Sequence, residues 1–179
     1  LTLLGGLHEA LREYEKAIDT YENIISDNPK DENSHVHLGS VYIQTGKLQD
    51  AKGVLEKAIE LNPTLMQGHY YLGKTYLELK EYKKAETHFI KALELNPMCG
   101  PTLFDLIRTY KATRQEDKVV ETYNKILKNN PDNIPAAIGL GSYYLLTGKS
   151  HTAKKIFHEL ITRSHNSPYI IKQIAAIYL

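Results

Sequence analysis

The sequence predicts an all-α fold, a linear array of stacked helix–turn–helix units. Three observations predict it. A pattern recurs in fixed register: Leu38-Gly39, Tyr42, Ala51, Leu55, Ala58 and Pro63 return as Leu72-Gly73, Tyr76, Ala85, Phe89, Ala92 and Pro97, each thirty-four positions on. Within each copy, apolar residues fall three and four apart, the spacing that gathers them on one face of a helix. The copy beginning at Glu32 is also punctuated twice, by Gly46 at its middle and by Asn62-Pro63 at its end.

The copy from Glu32 to Leu65 sets the register. Its first helix carries Val36, Leu38, Gly39, Val41, Tyr42 and Ile43. Thr45-Gly46-Lys47 breaks the stripe, and Gly46 suits the left-handed conformation that ends a helix. A second stripe follows at Leu48, Ala51, Val54, Leu55, Ala58, Ile59 and Leu61, and Asn62-Pro63 stops it, because the residue before proline avoids the helical region. With no insertion or deletion, further units start at Met66, Gly100 and Ile134. Backwards, Ala17, Tyr21 and Pro29 place residues 1–31 in a unit lacking its first few positions. Forwards, Ser167-Pro168 opens a last first helix spanning 168–179. The expected organisation is one array: units 1–31, 32–65, 66–99, 100–133 and 134–167, then the final helix.

Bulk composition narrows the function classes. The 179 residues are 42% hydrophobic and 24% charged, the balance of a folded chain and not a disordered one. A formal net charge of +1 gives no general affinity for nucleic acid. Apolar runs are too short to span a membrane. Cys99 is the one cysteine, so no internal disulfide is possible and the redox compartment is not indicated. The chain begins at Leu1, which leaves room for an upstream targeting segment or anchor; a cytoplasmic location is only the default.

A thirty-four-residue helix–turn–helix unit with this pattern resembles the tetratricopeptide repeat, over essentially the whole chain. The small residues are Gly39, Gly73 and Gly141 in first helices and Ala17, Ala51, Ala85 and Ala153 in second helices; the large ones are Tyr21, Leu55, Phe89, Tyr123 and Phe157. Pro29, Pro63, Pro97 and Pro131 close four units. The fourth unit departs, with Ile107 in the glycine position and Val119 in the alanine position, which should splay that helix pair and change the curvature locally. The fifth has His165 in the proline position, with Pro168 three residues on, so its exit loop should differ.

The resemblance implies a right-handed α-solenoid, a superhelix whose concave groove is lined by first helices. It places the fifth position of each unit in that groove (Val36, Tyr70, Phe104, Ile138), with the ninth (Ser40, Lys74, Arg108, Ser142) and the twelfth (Ile43, Leu77, Lys111, Leu145). That row reads as an apolar floor with a basic middle at Lys74, Arg108 and Lys111. It suits a protein or peptide segment with apolar anchors and an acidic group, since Arg108 can hold a carboxylate through two parallel hydrogen bonds. The carboxylate-clamp pattern of chaperone-binding members finds no match; units two to four offer Val36 and Ser40, then Tyr71, then Pro101 and Asp105.

The expected function is therefore a protein-interaction scaffold and not an enzyme, with no cofactor. No phosphate loop, glycine-rich fingerprint or nucleophile elbow occurs. Eight histidines raise a metal site, but His35 and His37 point different ways, and His151, His158 and His165 are seven apart, so none is expected. Two alternatives remain. Residues 1–31 carry three basic and seven acidic side chains, whereas residues 134–179 carry five basic and one acidic. Such ends could join copies head to tail into a homo-oligomer. The chain could also be the regulatory repeat segment of a larger protein.

Overall fold

The computed structural model describes residues 2–178. They form α1 (Thr2–Ala10), α2 (Tyr14–Asp27), α3 (Glu32–Gln44), α4 (Leu48–Leu61), α5 (Met66–Glu78), α6 (Tyr82–Leu95), α7 (Gly100–Ala112), α8 (Glu116–Asn129), α9 (Ile134–Leu146), α10 (Ser150–Arg163) and α11 (Pro168–Ala175). No strand occurs among the described residues. The chain divides into two compact units, Leu1–Asn96 with α1–α6 and Pro97–Leu179 with α7–α11. Within each, consecutive helices pair in order, each second helix packing on its own first helix and on the next.

The turn inside every repeat is built alike. Arg12, Gly46, Lys80, Arg114 and Gly148 all adopt left-handed φ, between 57° and 78°. The next residue donates its N–H to a carbonyl five residues back: Lys47 to Tyr42 at 2.8 Å, Glu81 to Tyr76 at 2.8 Å, Gln115 to Tyr110 at 2.9 Å. This 6→1 bond satisfies a carbonyl that the helix end would otherwise orphan. Repeat exits use another device. Asn28, Asn62, Asn96 and Asn130 take extended φ of −136° to −144° ahead of proline. The fifth exit, lacking that proline, differs. His165 and Asn166 are both left-handed, and Asn166 N donates to Ile161 O at 2.9 Å.

The final helix corrects the sequence reading. It ends at Ala175, not at 179; Leu179 itself lies outside the described residues. Its last turn tightens into three-residue bonds, Ile177 N to Ile174 O and Tyr178 N to Ala175 O. The Tyr178 ring then meets Phe157 edge-on at 6.0 Å.

The core rests on one repeated fit. A Cβ at Gly5 would lie 2.6 Å from the Tyr21 ring, at Gly39 2.5 Å from Leu55 Cγ, and at Gly73 2.8 Å from the Phe89 ring; Gly141 and Phe157 meet in the same way. The large side chain of each second helix thus sits on bare backbone of its own first helix. Tyr21, Leu55 and Phe89 are fully buried, and burying a side chain of this kind contributes about 1.5–3 kcal/mol.

The fourth repeat breaks the fit. Ile107 fills the glycine position, and Tyr123 packs instead beneath Gly139 of α9, where a Cβ would come 2.5 Å from its hydroxyl. With Ile107 and Val119 between them, α7 and α8 touch along a much shorter stretch than α5 and α6 do.

Two stability outcomes follow from this packing. Gly73→Trp or Ala85→Trp should cost about 1–3 kcal/mol or more by overpacking, whereas Gly53→Ala, which meets nothing within 4 Å, should be neutral or stabilising. Equal melting temperatures for Gly73→Trp and the parent would contradict the fit. Lys80→Gly and Arg114→Gly should each relieve about 1 kcal/mol of left-handed strain, raising the melting temperature by roughly 2–4 °C; a fall would contradict the turn geometry.

Candidate binding cleft

In the first unit, the residues expected in the groove are largely packed away. Val36, Ser40 and Leu77 are buried, while Ile43, Tyr70 and Lys74 are half-buried. The Tyr70 ring leans on Tyr71 at 5.0 Å and on Phe89 at 6.4 Å.

The second unit differs. Phe104, Arg108 and Lys111 of α7 and Ile138 and Ser142 of α9 line one cleft of about 450 Å³. Phe104 is 68% exposed and Leu146, on the opposite lip, 79%. The floor is apolar, made by Leu103, Ile107, Tyr123 and Pro135, with the bare backbone of Gly100 and Gly139. Leu145 does not line it; it packs on the core cluster around Ala137, Phe157 and Ile170.

The cleft traces to the same substitution that loosens the repeat. Ile107 fills the space that a glycine leaves open in the other repeats, and Tyr123, beneath Gly139 of α9, is part of the cleft's floor. In the sequence Tyr123 reads as one more repeat-filling aromatic, and Gly139 carries no signal by itself. The available signal was the pairing of a lost glycine at 107 with an extra one at 139.

Charge in the cleft is positive but shared. Arg108 Nε lies 3.8 Å from Asp105 Oδ1, one helical turn back, and that carboxylate is almost buried. Lys111 is exposed on the next turn. No acidic side chain lines the cleft among the described residues. Burial pushes the Tyr123 hydroxyl up to about 12, so it remains a protonated donor at neutral pH. Other buried tyrosines differ: Tyr21 donates to Glu9 at 2.7 Å, Tyr42 to Glu22 at 2.8 Å and Tyr76 to Glu56 at 2.8 Å.

His35, His69 and His88 make structural contacts. His35 and His69 each donate from Nε2 to the carbonyl of the preceding repeat's proline, Pro29 at 3.1 Å and Pro63 at 3.0 Å. That leaves Nδ1 of each as an acceptor. His88 Nδ1 meets His69 Nδ1 at 3.1 Å, and its ring stacks between His69 and Tyr76. Thirty-four positions earlier stands Val54, and there His35 Nδ1 is buried without a partner. Burial, and then the neighbouring His69, push His88 down to about 4, against an opposing pull from Glu56. No group of three or more metal-ligating side chains gathers among the described residues. No helix among them is long and apolar enough to cross a membrane.

Comparison with known proteins bears on the fold. A family model for anaphase-promoting complex, cyclosome, subunit 3 matches residues 10–92. No curated protein sequence matches the chain. Among solved structures, MamA is similar at 24% identity, covering 90% of this chain and 94% of that one, with a TM-score of 0.67. YrrB, described as a TPR protein with an unusual peptide-binding site, gives 19% identity, coverage of 99% and 90%, and a TM-score of 0.62. TTC0263, a thermophilic TPR protein of Thermus thermophilus, gives 18% identity, coverage of 99% and 96%, and a TM-score of 0.63.

The histidine pair sets an acid limit on the first unit. His88 is depressed in the fold, so the unfolded chain binds more protons between its ordinary value near 6.5 and about 4. Stability is complete above that window and falls as pH drops through it, by on the order of 2 kcal/mol once partial exposure is allowed for. His88→Asn keeps a donor for His69 without titrating. Its melting temperature should fall less than the parent's between pH 7 and 4.5; parallel curves would contradict the assignment.

Proposed function

We propose that this chain, whose fold is that of the tetratricopeptide-repeat proteins, is a protein-interaction scaffold that holds a partner's segment on its first helices, with the α7–α9 cleft as the principal seat. One observation carries the reading: Phe104, Arg108, Lys111, Ile138 and Ser142 line a single cleft with an apolar floor and cations on one wall. Its volume falls within the range of ordinary ligand pockets, and its exposed aromatic lip offers the kind of anchor that dominates binding energy. The partner segment carries apolar anchors and an acidic group. The likeness to YrrB, itself described as having a peptide-binding site, supports this reading. A stacked helical array with no catalytic constellation suits binding and not turnover.

A second reading has its own support. Leu3, Leu4 and Leu7 of α1 are exposed, and so are Tyr169 and Ile171 of α11 and Tyr178 beyond it, on stretches of opposite net charge. Copies could associate through these faces, or further repeats of a larger protein could cover them. Light scattering after size exclusion at low and high salt separates self-association from the monomeric scaffold, which keeps one mass at all salt concentrations.

The scaffold reading is tested with a photo-crosslinking residue in place of Phe104, followed by mass spectrometry of the captured peptide. Capture should map to one short segment and should be lost on Arg108→Glu, with helicity retained and melting lowered because Asp105 loses its cation. Capture that persists in Arg108→Glu would refute the cationic wall.

A further inference from the structure

The floor of the α7–α9 cleft holds a polar group that nothing in the fold uses. Tyr123 is 6% exposed, yet its hydroxyl has no hydrogen-bond partner among the described residues. That hydroxyl is not sealed off either, since His35 Nδ1 is the buried polar side-chain atom left with neither solvent nor partner. The Tyr123 hydroxyl therefore opens on the cleft that its ring lines, beneath Gly139. Open to the cleft, the hydroxyl is a donor that no protein group claims, ready to exchange water for an acceptor that enters.

We propose that the cleft recognises a carboxylate-bearing side chain, aspartate or glutamate, within an extended partner segment, and that one carboxylate oxygen accepts the hydrogen bond of the Tyr123 hydroxyl. This rests on the cleft being the seat of a partner segment. The choice of acceptor follows from charge. The ionisable side chains lining the cleft are Arg108, Lys111, Tyr123 and Tyr143, with no carboxylate among them. Asp105 draws on Arg108 from outside the lining, whereas Lys111 stands exposed on the next turn. A carboxylate gains from this field, whereas a neutral amide gains only the hydrogen bond. The lips explain why the carboxylate arrives on a chain and not as a free ion: Phe104 and Leu146 expose apolar surface on opposite sides of the opening, suited to the residues flanking the acid.

Tyr123 owes this role to its displacement. The equivalent Leu55, Phe89 and Phe157 have no polar atom, and Tyr21 has its hydroxyl engaged by Glu9. Among the described residues, the fourth repeat sets an unclaimed phenol under an opening, with Ile107 in the glycine position of its own first helix.

The test uses a set of peptides with the core Leu-X-Phe in Gly/Ser flanks, X being Glu, Asp, Gln, Leu or phosphoserine, with binding read by fluorescence anisotropy. The parent should bind the Glu or Asp peptide about tenfold more tightly than the Gln peptide. Tyr123→Phe, which keeps the ring and loses only the hydroxyl, should cut that ratio to about threefold or less with an unchanged melting temperature. Lys111→Gln, at an exposed position that leaves the core intact, should lower the ratio as well and serves if Tyr123→Phe unfolds. A full acid preference in Tyr123→Phe, equal binding of Glu and Gln peptides, or phosphoserine binding with Glu ignored would each overturn the proposal. Binding without acid preference that is nonetheless lost on Phe104→Ala would overturn it and leave partner docking at the cleft standing. Absence of binding by every peptide would overturn it too, and crosslinking from position 104 then decides the docking reading separately.

Discussion

A phenylalanine fits between two close helices only where the facing helix has no Cβ, and this chain is organised around that constraint. Gly5, Gly39, Gly73 and Gly141 supply the bare backbone; Tyr21, Leu55, Phe89 and Phe157 fill it. Each pair is sixteen positions apart and recurs at the repeat period. Glycine inside a helix costs roughly 0.5–1 kcal/mol relative to alanine, and the buried ring or leucine it admits more than offsets that. The left-handed turns and the Asn-Pro exits then hold each helix pair at the length that brings the two positions opposite one another.

The same constraint explains where the surface becomes useful. In the first unit the fit is satisfied in all three repeats, and Val36, Ser40 and Leu77 disappear into packing. In the second unit Ile107 denies Tyr123 its seat. The ring lies beneath Gly139, α8 touches α7 along a short stretch, and the cleft between α7 and α9 has a phenol in its floor. A local violation of the repeat rule is thus the source of the candidate site, which accords with the general expectation that broken local consistency marks function or strain.

Much of the fold was legible in sequence because it depends on short spacings. First helices begin at Glu32, Met66, Gly100 and Ile134, where the thirty-four-residue register puts the unit starts. The loosening at Ile107 and the altered exit at His165 were legible as side-chain size and as a missing proline. Other features were not. Lys80 and Arg114 carry the left-handed turn without glycine, because the 6→1 hydrogen bond fixes the backbone whatever the side chain. The final helix ends at Ala175, and the Tyr178 ring beyond it meets Phe157, a contact outside the reach of periodicity. Leu145 faces the core around Phe157, one residue away from the exposed Leu146 on the cleft's lip. The new seat of Tyr123 depends on two positions thirty-two residues apart, Ile107 and Gly139, that mean little singly.

The most direct test of this account is the proton environment of the Tyr123 ring in solution, read as nuclear Overhauser contacts in a sample with selectively labelled tyrosine and glycine. Strong contacts should run from the Tyr123 ring to the Gly139 Hα protons of α9. A ring that contacts α7 instead, with no contact to Gly139, would contradict the re-seating of Tyr123 and with it the origin of the cleft.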